Sequence, residues 1–463
     1  MPFPNPLKTP SLVQRLHWVT DPVGYMETAA QQYPDIFTAK IIGFGDTVIF
    51  VNHPQANQEI LTNDRKKFAS VGDLNIILEP LLGKSSVLML EGNSHKRQRQ
   101  LVMPAFHGER MRNYGQLICS LAEKVLSQLP LNKPFLARNL AQDISMQVIL
   151  QAVLGLYEGE RFEKLKKLLP LMMEVFQSPL TTSLFFFPFL QQDLGAWSTW
   201  GKFLRDRQQI DNLIFAEITE RRQQPDPERI DILSLLMSAR DEAGEQMTDQ
   251  ELRDQLITLI LAGYETTSTA IAWAFYWIHQ KPLVREKLLA ELDTLGDSPD
   301  PMSISRLPYL TAICHEALRI YPSVMFSFPR VVRESVELLG HPLEPGMVLL
   351  PCIYLTHHRK DLYYQPNDFI PERFLERQFS PYEFLPFGGG VRRCIGEALA
   401  LFQMKLVLAT ALSHYQLALA DQRPERPHRR GFTLAPGNGV KMVIIEQRVR
   451  QESLVAREIT PVV

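Results

Sequence analysis

The sequence predicts one large, mainly α-helical domain carrying small β-sheets. Three observations lead there. Apolar residues recur about every fourth position from roughly Gln55 to Ile320, the period of helices with one buried face. Strand-like segments and frequent turns lie before that stretch and after Pro322. No repeat, low-complexity tract or interdomain linker breaks the 463 residues. The polar run Gln223–Glu228 is too short to separate domains, so residues 1–463 read as a single unit.

Composition agrees. Hydrophobic residues make up 45% and charged residues 22%, which excludes a disordered or fibrous chain. The 49 Lys+Arg against 51 Asp+Glu give a net charge of -2 and no reason to expect nucleic acid as a partner. Cys119, Cys314, Cys352 and Cys394 are spaced like neither a disulfide framework nor a zinc site. The opening MPFPNPLKTPSLVQRL has neither a signal-peptide core nor a transmembrane anchor, so the expected location is the cytoplasm.

Taken in order, Ile36–Ile42 and Thr47–Val51 read as two strands joined by a turn at Gly43-Phe44-Gly45-Asp46. Among the helices that follow, one is apolar on nearly every side. Thr248 with Glu251 makes a capping-box start and Lys281-Pro282 a stop. Such a helix is buried all round. It is not a membrane span, because Glu265, Thr266, Thr267, Ser268 and Thr269 stand together in its middle. A buried acid is costly unless paired or used. Beyond Pro322 come short strands and turns, then a helix at Ile395–Leu412 and a β segment near Met442–Ile445.

The strongest chemical signal is Phe387-Gly388-Gly389-Gly390-Val391-Arg392-Arg393-Cys394-Ile395-Gly396. It reads as a glycine-rich loop delivering a cysteine to the first turn of a helix, where the helix start and two arginines would lower the thiol pKa. A sulfur so placed serves as nucleophile, redox group or metal ligand; the plainer reading is an inert core cysteine.

The pattern is similar to the haem-binding loop of the cytochrome P-450 superfamily, Phe-x-x-Gly-x-Arg-x-Cys-x-Gly, matched here at Phe387, Gly390, Arg392, Cys394 and Gly396. The resemblance implies haem b with Cys394 as the axial ligand of the iron, Arg392 on a propionate and Phe387 beside the sulfur. It implies a fold whose long central helix lies over the haem. Ala262-Gly263-Tyr264-Glu265-Thr266-Thr267 resembles the family's oxygen-activating run, with Glu265 feeding protons, Thr266 beside the oxygen, and Ala262 and Gly263 leaving room. The plainer reading has the threonine hydroxyls bonding back to helix carbonyls. Glu316-Ala317-Leu318-Arg319, followed by Tyr321-Pro322, resembles the Glu-x-x-Arg helix, and Pro371-Glu372-Arg373-Phe374 the Pro-x-Arg-Phe segment. Together they imply a buried Glu316–Arg319–Arg373 network of structural purpose. His95 and Arg99, i and i+4 after Glu91-Gly92, occupy the family's propionate positions, with Arg330 a further candidate. His357 and His358 are read as bonding to nearby chain rather than to metal. One departure is Gln403, where the family usually carries Glu. Motifs in the family's order span about residues 34–445.

The implied activity is monooxygenation: one oxygen atom from O2 enters a hydrophobic substrate, fatty acid- or terpenoid-like. Family analogy lines the pocket with Ile76, Ile77, Val87, Val324, Met325, Phe326 and Leu434. The aromatic stretch Leu184–Leu190 is either local core or a greasy access mouth touching a membrane. No flavin or iron–sulfur motif is present, so electrons are expected from a ferredoxin or flavodoxin with its reductase. Lys96, Arg97, Arg393 and Lys405 are expected to attract that partner.

Overall fold

The computed structural model describes residues 3–70, 77–108, 110–176, 181, 184–185, 191–296 and 299–448. The helices that build the molecule are α1 (Ser11–Thr20), α2 (Pro22–Gln32), α3 (Pro54–Thr62), α4 (Gly92–Val102), α5 (Arg110–Ser127), α6 (Ala137–Leu154), α7 (Glu160–Met173), α8 (Thr199–Gln223), α9 (Asp249–Gln280), α10 (Pro282–Asp293), α11 (Pro308–Ile320) and α12 (Glu397–His414). The strands are short: β1 (Ile36–Ala39), β2 (Val48–Val51), β3 (Phe68–Ala69), β4 (Pro134–Leu136), β5 (Arg330–Val332), β6 (Val336–Leu338), β7 (His341–Leu343), β8 (Val348–Pro351), β9 (Tyr415–Leu419), β10 (Pro427–Arg430), β11 (Thr433–Pro436) and β12 (Lys441–Gln447).

The centre is α9, 32 residues and about 48 Å long. Both halves of its capping box form: Thr248 Oγ1 accepts from Glu251 N–H, and the Glu251 carboxylate accepts from Thr248 N–H. It stops at Lys281, ahead of Pro282. It packs on α6, whose residues are nearly all buried, and on α12. Gly263 makes the α6 contact close, since a Cβ there would stand 2.6 Å from Ile149 Cδ1. The missing side chain of Gly263 thus serves helix packing.

The hairpin of β1 and β2 forms with Ile36 opposite Val51. It continues into a mixed five-stranded sheet in the order β1-β2-β8-β5-β3, with β2 and β8 parallel. All residues of β1 and β2 are buried because α1 and α2 cover one face of this sheet and a second small apolar cluster covers the other. A three-stranded sheet, β4-β12-β9, ties the last strand among the described residues to the entrance of α6. Among the described residues no helix is long and apolar enough to cross a membrane.

Candidate active site

The loop 387–396 lies against α4 through Arg99 and against β5 through Arg330. The loop closes when Cys394 N–H donates to the Phe387 carbonyl at 2.9 Å. Helix α12 begins only at Glu397, with Gly396 as its N-cap, so Cys394 precedes the helix rather than sitting in its first turn. Cys394 is exposed, yet enough protein surrounds it that burial pushes its thiol up to about 11. The Gly396 N–H, Arg99 and Arg393 pull the other way, and Glu397 reinforces burial. The lowered pKa expected from a helix start is thus corrected, because desolvation outweighs a dipole that the sulfur meets only at its edge. A free thiolate nucleophile is disfavoured; a metal cation that displaces the proton suits the site.

Beside it lies a cationic cluster. His95 is buried and pushed down to about 3, first by burial and then by Arg392, Arg99, Arg65 and Arg330. Arg392 is pushed down to about 10 by burial and Arg330, with Glu91 and Asp64 opposing. It donates to Ser70 Oγ at 3.1 Å and the Val87 carbonyl at 2.8 Å. Arg330 is fully buried, and its Nε has no hydrogen-bond partner among the described residues. The buried Arg330 and Arg392 with the half-buried Arg99 face two carboxylates, Asp64 and Glu91, which leaves one positive charge in excess. A flat group with two carboxylates and a metal fits this arrangement: anionic ends at Arg330, Arg392, His95 and Arg99, and the metal at Cys394.

On α9, Ala262 is exposed although its neighbours along the helix are mostly buried, so an open space abuts the helix there. Thr266 Oγ1 donates to the Ala262 carbonyl at 2.6 Å, the back-bonding form, and its own carbonyl accepts from Ser323 Oγ at 2.8 Å. The Glu265 carboxylate turns elsewhere. It accepts from the guanidinium of Arg138, from Gln142 Nε2 at 2.9 Å and from Thr433 Oγ1 at 3.4 Å.

The supporting network is fully assembled. Arg319 forks onto both Glu316 oxygens at 2.7 and 2.8 Å and onto the carbonyls of His357, Pro366 and Asp368. Arg373 Nε reaches Glu316 at 3.1 Å, and Tyr363 lies under both guanidiniums. Glu316 and Arg319 are completely buried. His358 Nδ1 contacts the Tyr354 carbonyl at 2.8 Å, and His357 Nδ1 the Arg319 carbonyl at 3.2 Å.

Not every expected residue gathers at Cys394. Val87 is buried, and Ile77 and Val324 are half-buried. Met325, Phe326 and Leu434 pack with Trp18 in the cluster beneath α1 and α2. Ile76 lies outside the described residues, as does most of the aromatic stretch; Phe185, within it, packs edge-on to Trp200 and Phe203. The expected basic patch divides. Lys96 and Arg393 are exposed, Arg393 pairing with Glu397. Arg97 instead bridges Asp241 and Glu251, and Lys405 turns inward to the Ser305 carbonyl at 2.7 Å. Gln403 is buried on Ser145 Oγ at 2.9 Å, joining α12 to α6. Asp64, Arg138, Gln142, Thr433 and Ser323 escaped the sequence reading; their partners lie tens to hundreds of residues away and leave no local signal.

The Cytochrome P-450 family model matches residues 4–441. A Mycobacterium tuberculosis protein named as cytochrome P-450 135B1 is 32% identical over 419 residues, 90% of this chain and 86% of its own. One from Mycobacterium bovis named as cytochrome P-450 138 is 30% identical over 445 residues, 96% of both. Among solved structures, the cyanobacterial CYP120A1 with retinoic acid bound superposes with a TM-score of 0.84 at 24% identity, covering 96% of this chain and 99% of that one. The haem domain of cytochrome P450DA gives 0.83 at 21% identity, covering 96% and 97%. At these identities the two structures speak for the fold alone.

Proposed function

Because the chain belongs to the cytochrome P-450 family of haem-thiolate monooxygenases, we propose that it inserts one atom of O2 into a hydrophobic organic substrate, with haem b ligated by Cys394. When bound, the haem supplies the redox chemistry that activates dioxygen. Cys394 provides the sulfur ligand. Arg330, Arg392, His95 and Arg99 would hold the propionates, and Arg330 Nε would find there an acceptor that it lacks among the described residues. Phe387 and Gly396 frame the ligand loop. Ala262 faces the oxygen side, and the Thr266 hydroxyl, oriented by the Ala262 carbonyl, passes protons onward. Glu265, next to Thr266 and held by Arg138, Gln142 and Thr433, is the carboxylate that would feed those protons. The Glu316–Arg319–Arg373 network keeps the loop in place.

The substrate is fatty acid- or terpenoid-like, received among Ile77, Val87 and Val324. Electrons come from a separate ferredoxin or flavodoxin, attracted by Lys96 and Arg393, which are exposed on segments flanking Cys394. The setting is the cytoplasm.

The observation that carries the reading is an exposed cysteine with Arg99 beside it, in a cluster where Arg99, Arg330 and Arg392 outnumber Asp64 and Glu91 by one. The reduced protein with carbon monoxide should show a Soret band near about 450 nm, the mark of a sulfur ligand opposite CO. Cys394→Ser should abolish it. A native protein that binds no haem would refute the proposal.

A further inference from the structure

Asp64 belongs to none of the motifs, yet it is 7% exposed and touches two parts of the site at once. It stands just past the end of α3. Its Oδ2 accepts from the backbone N–H of Val391 at 2.7 Å, three residues before Cys394, and lies 3.5 Å from Arg330 Nη2. Gly390 has φ +64, and a Cβ at that position would overlap the same carboxylate oxygen and crowd the Leu61 carbonyl. The loop therefore passes as close to Asp64 as glycine permits. A bond from a charged acceptor to a backbone N–H is about twice as strong as a neutral one. In this buried setting, losing it leaves the N–H of Val391 unsatisfied.

We propose that Asp64 is a positioning residue of the haem-thiolate centre, clamping the Val391–Cys394 turn and offsetting the charge of Arg330 so as to hold down the reduction potential of the iron. The inference rests on the haem-thiolate reading above. Positive charge near the iron favours its reduced form, so removing the carboxylate charge raises the potential. Two substitutions separate the roles. Asp64→Asn keeps the shape and an acceptor oxygen but not the charge; Asp64→Ala removes both.

The test combines spectroelectrochemical titration with amide hydrogen exchange on native and variant proteins. Asp64→Asn should shift the midpoint potential positive while keeping the CO-bound band near about 450 nm. Asp64→Ala should shift it too, move part of the band toward about 420 nm, and speed exchange at Val391 about tenfold or more. An unmoved midpoint in Asp64→Asn overturns the electrostatic role. Native exchange at Val391 in Asp64→Ala overturns the clamp. If the native chain forms no 450 nm band, the proposed function fails, and with it the electrostatic role; exchange at Val391, which needs no haem, still decides the clamp.

Discussion

His357 Nε2 accepts a hydrogen bond from the backbone N–H of Leu385 at 3.0 Å. The acceptor role fixes the tautomer, so Nδ1 donates to the Arg319 carbonyl at 3.2 Å. One neutral imidazole thereby joins the helix of the Glu316–Arg319 network to the segment that enters the cysteine loop. Rigidity passes from a buried ion pair to the loop of Cys394 through a histidine that must stay unprotonated.

That requirement predicts acid sensitivity. Burial holds His357 well below its usual 6.5, and moves His279 and His315 down to about 4 and His358 to about 3. Between those values and 6.5 the unfolded chain binds protons that the native chain refuses, so stability falls as pH falls. Each such histidine contributes a slope of about 1.4 kcal/mol per pH unit below 6.5. Urea unfolding at pH 7.0, 6.0 and 5.0 should show the decline, and His357→Gln should flatten it by one histidine's share. A pH-independent midpoint over that range would contradict the account.

Arg319→Lys keeps the charge but loses the fork that serves Glu316 and three carbonyls at once. Leaving buried groups unpaired costs about 3 kcal/mol or more. The urea midpoint should drop accordingly, and haem should be retained less well at the same temperature.

Lys96, Arg393 and Arg97 should separate in experiment. Lys96→Glu and Arg393→Glu should slow reduction by a ferredoxin or flavodoxin, most at low salt. Arg97→Ala should instead cost about 1–3 kcal/mol of stability, because its bonds are to Asp241 and Glu251. Stopped-flow reduction across a salt series, with melting curves, distinguishes the two behaviours.

Gly263→Ala should destabilise by about 1–3 kcal/mol through overpacking against Ile149. Ile149→Val in the same chain removes the struck methyl and should restore part of the loss. A double-mutant cycle on unfolding free energies measures the coupling; additive effects would mean that α9 and α6 do not meet there.

The sequence by itself determined what short-range chemistry controls. The limits of α9 follow from Thr248, Glu251 and Pro282, because a cap and a proline act within one turn. The cysteine loop, the Glu316–Arg319 pair and the β1–β2 hairpin were legible for the same reason. Arg373 was legible only through the family likeness. Tertiary structure decided the rest. It set the direction of the Cys394 pKa, since burial exceeds the pull of nearby arginines. It turned Glu265 to Arg138, Lys405 inward and Gly263 toward Ile149, and it pressed Asp64 against Val391, 327 residues away. Contacts between distant segments depend on how whole helices pack, and a side chain's partner in such a contact has no local trace in the chain.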